Sequence, residues 1–493
     1  MVSSEASPWA KSGGLADVLG ALPGALTRIG HAVATVIPLY MEARDAPAKQ
    51  VIESIRIPVG SRDFEVSIWE LQSEDSIYFF VGQPELFDRA GLYGDPEGDF
   101  PDNHVRFALL SKAALEIARR LFRPDIIHCH DWQASLIPAY LSDPRVVDPS
   151  WLGIRTLLTI HNLGYQGVFE RSALSEIGLP GEFDSPARME FWGRINFLKA
   201  GIVFADALNT VSAKYAEEIQ TPEYGFGLDG LLRERRNILS GIVNGADYEQ
   251  WNPETDSCIP ARYSVADISG KRICKRELLE EMGLPEEAID KPLIGIVSRF
   301  AGQKGFDLVE EAATELFQDD VYLVALGSGE ARWESLFRRL QSDFPDRISV
   351  SFGYDDPLAH RIEAGADIFL MPSRYEPCGL NQIYSMRYGT VPVVRATGGL
   401  DDTVIGEPAP GSTGFKFVDY NGNALLKAIR QACRTWRDQK TWTAIMIRAM
   451  KKDYSWTASA TEYSRLYRKI ASSEVQRDSN FQDEDLNVRN KYA

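Results

Sequence analysis

The 493-residue sequence has no run long and apolar enough to cross a bilayer: its longest apolar stretches are strand-sized, against roughly 20 residues for a spanning helix. No basic segment followed by an apolar core stands at the N-terminus, so no secretory signal is expected there. Cysteine is scarce. The five present form no CxxC pair and no metal-ligand spacing, which predicts reduced thiols, a reducing (cytoplasmic) compartment and no structural metal. Basic residues are outnumbered, 53 Lys and Arg against 70 Asp and Glu, and the net charge of −17 argues against nucleic acid as a general partner. No internal repeat is visible. With 44% hydrophobic residues the chain has ample material for cores, and its length predicts two or three domains.

What is present is most concentrated between Met371 and Leu400, MPSRYEPCGLNQIYSMRYGTVPVVRATGGL. An apolar run, Asp367 to Met371, stops at Pro372 and Ser373, as a buried parallel strand does where it meets its loop. The loop offers Arg374, Glu376 and Cys378 before Gly379 and Leu380 begin a helical pattern, whose first free N–H groups favour an anion. Glu376 does not suit an anion and points to sugar hydroxyls instead. The next strand, Val391 to Val394, ends at Thr397-Gly398-Gly399, where bare backbone can approach a ligand. Taken alone, the stretch also reads as a strand, a turn and another strand in a core.

The same strand-then-loop pattern recurs along the chain. Met1 to Ser4 reads as the tail of a strand whose beginning is missing. Lys11 precedes Ser12-Gly13-Gly14 and a helix to about Ile29, an arrangement suited to cradling phosphate. Residues 51 to 81 alternate apolar and polar, which predicts antiparallel hairpins. The Asp-, Gly- and Pro-rich loop Phe87 to Asp102 is expected to line a cleft, with Tyr93 either a sugar-stacking ring or plain surface. Asp125 to His130 is a buried strand delivering Asp131 and Trp132 to its carboxyl end, where open α/β sheets bind ligands. His128 and His130 share a strand face, but no third ligand lies near, so core histidines are expected there and not a metal site. Thr159 to Asn162 repeats the pattern with His161. A polar run from Asn252 to Asp267 predicts a linker with its hinge near 245–255 and Asn244 on the crevice side. Beyond it, Arg299 and Lys304 follow the strand Leu293 to Ser298, a pair of cations suited to a diphosphate. Gly327-Ser328-Gly329 forms a second Gly-rich turn, and Tyr354 follows the strand Ile348 to Phe352.

EPCGLNQ, YGTVPVV and TGGL, together with KSGGLADV near the start and the S-R-x-x-x-Q-K-G pattern from Ser298 to Gly305, resemble the bacterial glycogen synthases and plant starch synthases. The resemblance covers nearly the whole chain. It implies an α/β protein of the GT-B fold, two Rossmann-like domains facing each other across a deep cleft: residues 1–245, 246–454, a helix 455–472 crossing back to the first domain, and a disordered tail 473–493. It implies transfer of glucose from ADP-glucose to the non-reducing end of an α-1,4-glucan, with retention of configuration and no metal or cofactor. The roles implied are Arg299 and Lys304 on the leaving diphosphate with help from Lys11, His161 near the reacting carbon of glucose, Asp131 beside it, Glu376 on glucose hydroxyls and Tyr354 stacked on adenine. Gly13, Gly14, Asp17, Asn244, Gly327, Ser328, Gly329, Cys378, Gly379, Leu380 and Asn381 complete the implied donor-binding set. The preference for ADP- over UDP-glucose follows only from the family branch. Many retaining GT-B enzymes carry a second glutamate eight residues after the first, where this chain has Tyr384, so its ribose contact must come from other groups. A glycan-binding regulatory protein, or another sugar-nucleotide enzyme or phosphorylase on the same fold, remains a rival reading. Because the implied set is divided between halves, closure is expected to be required, with like-charged loops holding the empty halves apart.

Overall fold

A computed structural model describes residues 1–73, 75–145 and 148–472; the tail expected at 473–493 lies outside the described residues. In the first half, two four-stranded sheets join edge to edge through Val2. One runs Ala34–Pro38, Ile77–Gly82, Arg62–Gln72, Lys49–Val59, and its last two pairings are antiparallel, as the alternating pattern predicts. The other is wholly parallel: Leu239–Gly241, Ala207–Thr210, Arg155–Ile160, Ile126–His130. Val2 bridges Val36 on one side and Cys129 on the other, its amide donating to the His128 carbonyl at 2.8 Å. The first residues therefore stand at the centre of the combined sheet, between Ala34–Pro38 and Ile126–His130, and lead into the loop that carries Lys11 beside the one that carries Asp131.

The second half holds one six-stranded parallel sheet in the order Ile348–Phe352, Tyr322–Gly327, Leu293–Val297, Ile368–Met371, Val391–Arg395, Phe415–Phe417. Numbered by sequence this is 3-2-1-4-5-6, the doubly wound order, whose direction reverses between Leu293–Val297 and Ile368–Met371. Helices cover both faces, so the central strands are buried throughout and read as continuous apolar runs.

The chain crosses between halves at 244–246 and again at 454–456, and the two crossings pair: the Ala246 amide donates to the Tyr454 carbonyl at 2.7 Å. The polar run beyond is pinned to the second half and does not hang free. Trp251 stacks on His360 at 3.8 Å and on Tyr384 at 4.3 Å, and Asp256 accepts hydrogen bonds from the His360 ring and the Tyr388 hydroxyl. The last helix, Trp456–Ser472, lies on Gly14–Arg28 of the first half. Its Tyr463 accepts a hydrogen bond from Asn209, and its Tyr467 shares one with the His128 ring. Among the described residues no helix is long and apolar enough to cross a membrane.

Candidate active site

The two loops at the reversal point of the second sheet, 298–305 and 372–380, carry the most clearly built part of the site. Gly305 adopts φ +73°, and a Cβ there would lie 2.0 Å from the Pro372 carbonyl, so glycine is what lets the loops touch. Gln303 ties them further: its side chain donates to the Tyr375 carbonyl at 3.0 Å, and its own carbonyl accepts from the Arg374 amide at 2.8 Å. In this frame Lys304 Nζ meets Glu376 Oε2 at 2.6 Å, and Ser373 Oγ donates to the same oxygen at 3.0 Å. Glu376 is buried, so the pair is a desolvated one that locks both side chains. An ammonium has three donors, and this contact uses one. Arg299 is exposed nearby and makes no ion pair among the described residues. Tyr354 is 88% exposed, its ring free to receive a base.

Around this pair the structure redirects several expectations. Gly327 and Gly329 are glycine because the loop after Leu293–Val297 lies against them: Cβ atoms there would meet the Ser298 and Phe300 carbonyls at 2.0 and 2.3 Å. Those glycines fit backbone to backbone, leaving Ser328 as the exposed polar member of the turn. Leu380 caps a short helix, Asn381–Arg387, and the Asn381 side chain donates to the Val297 carbonyl at 2.6 Å, fixing the helix to the neighbouring strand end after the Gly379 turn. Tyr384 lies under Trp251, away from any ribose role. Gly398, expected to admit a ligand, admits the Glu376 carbonyl instead, 2.0 Å from a Cβ built there.

Across the cleft, Asp131 is buried at φ +55° and accepts the His161 amide at 2.6 Å. Burial raises its carboxyl from 3.8 to about 7, although the amides of His161 and Asn162 pull the other way. Burial also lowers His161 to about 3, which keeps the imidazole neutral, and its Nε2 lies 3.0 Å from His130 Nδ1. His128 is satisfied by Tyr467 and Thr159 as a core residue. Trp132, expected at the ligand, turns into the core against Phe107, Phe169 and Phe197.

The Gly-rich turn near the start departs further from expectation. Glu5 accepts from the Ser12 amide at 2.6 Å, the Ser12 hydroxyl at 2.7 Å and the Gly13 amide at 3.2 Å, so the anion in that turn is the chain's own carboxylate. Tyr93 donates its hydroxyl to the same Glu5 and is neither a stacking ring nor surface. A Cβ at Gly13 or Gly14 would meet nothing within 4 Å, so the space above the turn stays open to a ligand. Lys11 pairs with Asp17 at 2.6 Å, both exposed enough to re-pair. With Lys11 and Lys304 each neutralised within its own half, charge repulsion is not what would hold the halves apart.

On the side of the first half, the halves meet through groups that the sequence did not single out. Glu218, buried at the end of the helix Ala213–Glu218, accepts from Thr397 Oγ1 at 3.0 Å and from the Gly398 amide at 3.1 Å. Ser212 Oγ, the cap of that helix, donates to the Pro377 carbonyl at 2.6 Å, and the Lys214 amide donates to Asp402 at 2.9 Å. The only textual hint was a TGGL turn whose helix-start N–H groups needed an acceptor.

Cys378 packs against the core of the first half with its thiol pushed up to about 12 by burial, and the Asn244 backbone amide faces its sulfur. The Asn244 side-chain oxygen is buried with no hydrogen-bond partner among the described residues, which leaves an acceptor to be satisfied. Because the thiol is uncharged, Cys378→Ser is expected to keep turnover within about threefold, a loss of order 0.6 kcal/mol. Steady-state kinetics that showed complete loss would establish a chemical role for sulfur.

Asp131 makes a prediction about pH. Between about pH 4 and 7 the folded carboxyl keeps its proton while the unfolded one has lost it, so this group's contribution to stability is greatest below 4 and declines as pH rises to 7. Asp131→Asn keeps an acceptor for the His161 amide and tolerates positive φ. Its melting temperature should therefore fall less than the parent's between about pH 5 and pH 8; parallel profiles would show that Asp131 is ionised in the fold.

Residues 1–234 match the family described as Starch synthase catalytic domain, and residues 283–445 that of Glycosyl transferases group 1. Among curated relatives, the Glycogen synthase of Koribacter versatilis (strain Ellin345) is 48% identical over 470 residues, 95% of this chain and 97% of that one. The Glycogen synthase of Anaeromyxobacter sp. (strain Fw109-5) is 49% identical over 475 residues, 96% and 99% of the two chains. The catalytic domain of Starch Synthase IV from Arabidopsis thaliana, solved bound to ADP and acarbose, superposes with a TM-score of 0.85 at 32% identity, covering 96% of this chain and 99% of that one. With its doubly wound sheet in the second half, its Lys304–Glu376 pair at the point where that sheet reverses, and relatives matched over nearly their full length, the chain belongs to the glycogen synthase and starch synthase family of GT-B glycosyltransferases.

Proposed function

We propose that the chain extends an α-1,4-glucan at its non-reducing end, taking glucose from ADP-glucose with retention of configuration and releasing ADP. The observation that carries this reading is the buried Lys304–Glu376 pair, a cation and a carboxylate held 2.6 Å apart at the strand ends where the second sheet reverses. Glu376 suits the hydroxyls of a bound glucose, and the free donors of Lys304 with exposed Arg299 suit the diphosphate leaving from it. Lys11 adds charge from the other half once it releases Asp17. These cations supply the role that a metal fills elsewhere, and the reading asks for no cofactor. Reduced cysteines at all five positions accord with a cytoplasmic setting.

Retention through a covalent intermediate would need a free carboxylate at the reacting carbon. Asp131 spends an oxygen on the His161 amide and holds its proton to about pH 7, and Glu376 is committed to Lys304, so neither is a free nucleophile. A front-face return fits better. The bond from glucose C1 to the diphosphate oxygen breaks, the acceptor O4 bonds to C1 on the same face, and its proton passes to the departing phosphate oxygen. Positive charge develops on the ring as this happens, and a neutral His161 beside it adds no repulsion.

Residues 1–245 with the returning helix act as one body and 246–454 as the other, and the paired crossings at 244–246 and 454–456 are where they turn. The test is incubation with glycogen and either ADP-glucose or UDP-glucose, scored by nucleotide release and by radiolabel in polysaccharide. Release from ADP-glucose alone is the expected result. No release from either donor would leave a glycan-binding protein, and preference for UDP-glucose would overturn the choice of donor.

A further inference from the structure

Three non-glycine residues among those described adopt left-handed φ: Asp131 in the site, Trp192 at +49° and Phe226 at +47°. Bulky residues rarely accept that conformation, and where they do the strain tends to mark a ligand site. Each of the two aromatics is followed by a left-handed glycine, Gly193 at +82° and Gly227 at +81°. Trp192-Gly193 is the two-residue turn between the paired residues Phe191 and Arg194, a geometry that favours Asn-Gly or Asp-Gly. Tryptophan there works against the turn, and its ring is 79% exposed, so burial gives little compensation.

The two turns fit each other. A Cβ on Gly227 would lie 2.6 Å from the edge of the Trp192 ring and 3.1 Å from Phe191, whose ring lies 4.6 Å from that of Trp192 and leaves its other face open. Phe226, 42% exposed, meets Tyr375 at 6.1 Å, and Tyr375 precedes Glu376. Buried Gln166 holds the turn in place, donating to the carbonyls of both Phe226 and Leu163, the latter two residues after His161. A line of rings thus runs outward from the glucose site, Tyr375 to Phe226 to Trp192.

We propose that Phe226 and Trp192 form a stacking platform for the acceptor α-1,4-glucan beyond its reacting residue. Flat, exposed rings suit the apolar faces of successive glucose units. Arg194, two residues on, is paired with Glu170, so it brings no free cation for a diphosphate to the platform. This inference rests on the transferase reading above and deepens it.

Trp192→Asn is the deciding variant, since asparagine suits the turn and lacks the ring. Its melting temperature should hold or rise, while KM for maltoheptaose and glycogen rises about tenfold, by less for maltotriose, and KM for ADP-glucose stays within twofold. Trp192→Tyr should restore most acceptor affinity, and Phe226→Ala should reproduce the defect. Leu152→Ala, an exposed apolar residue before the opposite strand end, serves as control. Calorimetric titration of maltoheptaose without donor reads the platform independently of turnover. Unchanged acceptor KM and affinity in Trp192→Asn would overturn the platform with the transferase reading intact, and so would an equal rise in both substrates' KM. Trp192-dependent maltoheptaose binding by a protein that never releases ADP would support the platform and refute the transferase reading.

Discussion

Replacing Lys304 by alanine is expected to lower turnover by about 10²–10³-fold, the usual cost of losing a donor aimed at charge that develops in the transition state. Two effects contribute. One is the loss of a cation for the leaving diphosphate; the other is that Glu376 is left buried without its partner, which by itself costs about 3–5 kcal/mol in comparable pairs. They can be separated. In the double variant Lys304→Ala, Glu376→Gln no charge is stranded, so stability should recover, whereas turnover should not. Melting temperature and single-turnover rates on the same three proteins decide the matter. Recovery of turnover in the double variant would show that Lys304 serves only to hold Glu376.

Glu218→Ala should loosen the contact between the halves. Its carboxylate is the acceptor for both Thr397 Oγ1 and the Gly398 amide, and each buried donor left unmade costs about 1–3 kcal/mol. Thr397 and Gly398 also abut the donor loop, with the Gly399 amide donating to the Glu376 carbonyl at 3.1 Å. The expected result is a larger radius of gyration in small-angle scattering, partly reversed by ADP with a maltooligosaccharide, and a fall of about 10–100-fold in kcat/KM, as follows from 1–3 kcal/mol. The shift that ADP can produce is limited by its preference for the closed form. A radius and a kcat/KM both equal to the parent's would show that Glu218 carries no weight in closure.

The central parallel strands were legible because they are buried on both faces and read as apolar runs, the antiparallel ones because they alternate, and the loops following the parallel strands named Lys304, Glu376, Asp131 and His161 directly. What the sequence hid is pairing. Lys304 and Glu376 are separated by 72 residues, and nothing local says that they form one ion pair. Glu5 was invisible as the occupant of the Ser12–Gly13 turn, because a glycine-rich turn looks the same whether its anion comes from a ligand or from the chain. Gly327, Gly329 and Gly398 misled for a related reason: small residues mark close approach, and local pattern cannot say whether the approaching atoms belong to substrate or to backbone. Trp192 passed unnoticed, since its meaning lies in a backbone angle that composition does not reveal.

The returning helix has a consequence for the order in which this chain matures on the ribosome. Asn209 waits for the hydroxyl of Tyr463, 254 residues downstream, and His128 for that of Tyr467, 339 residues downstream. At roughly 5–20 residues per second of synthesis, the delay before Asn209 meets its partner is about 10–50 seconds. Throughout that time the second half is emerging and can fold on local contacts, while the first half keeps an uncovered flank along Gly14–Arg28, and Asn209 and His128 each hold Thr159 but lack their second partner. The half made first is thus the half finished last. A nascent chain arrested before Trp456 should expose that flank to holdase chaperones and protease, and extending it through Ser472 should end the exposure.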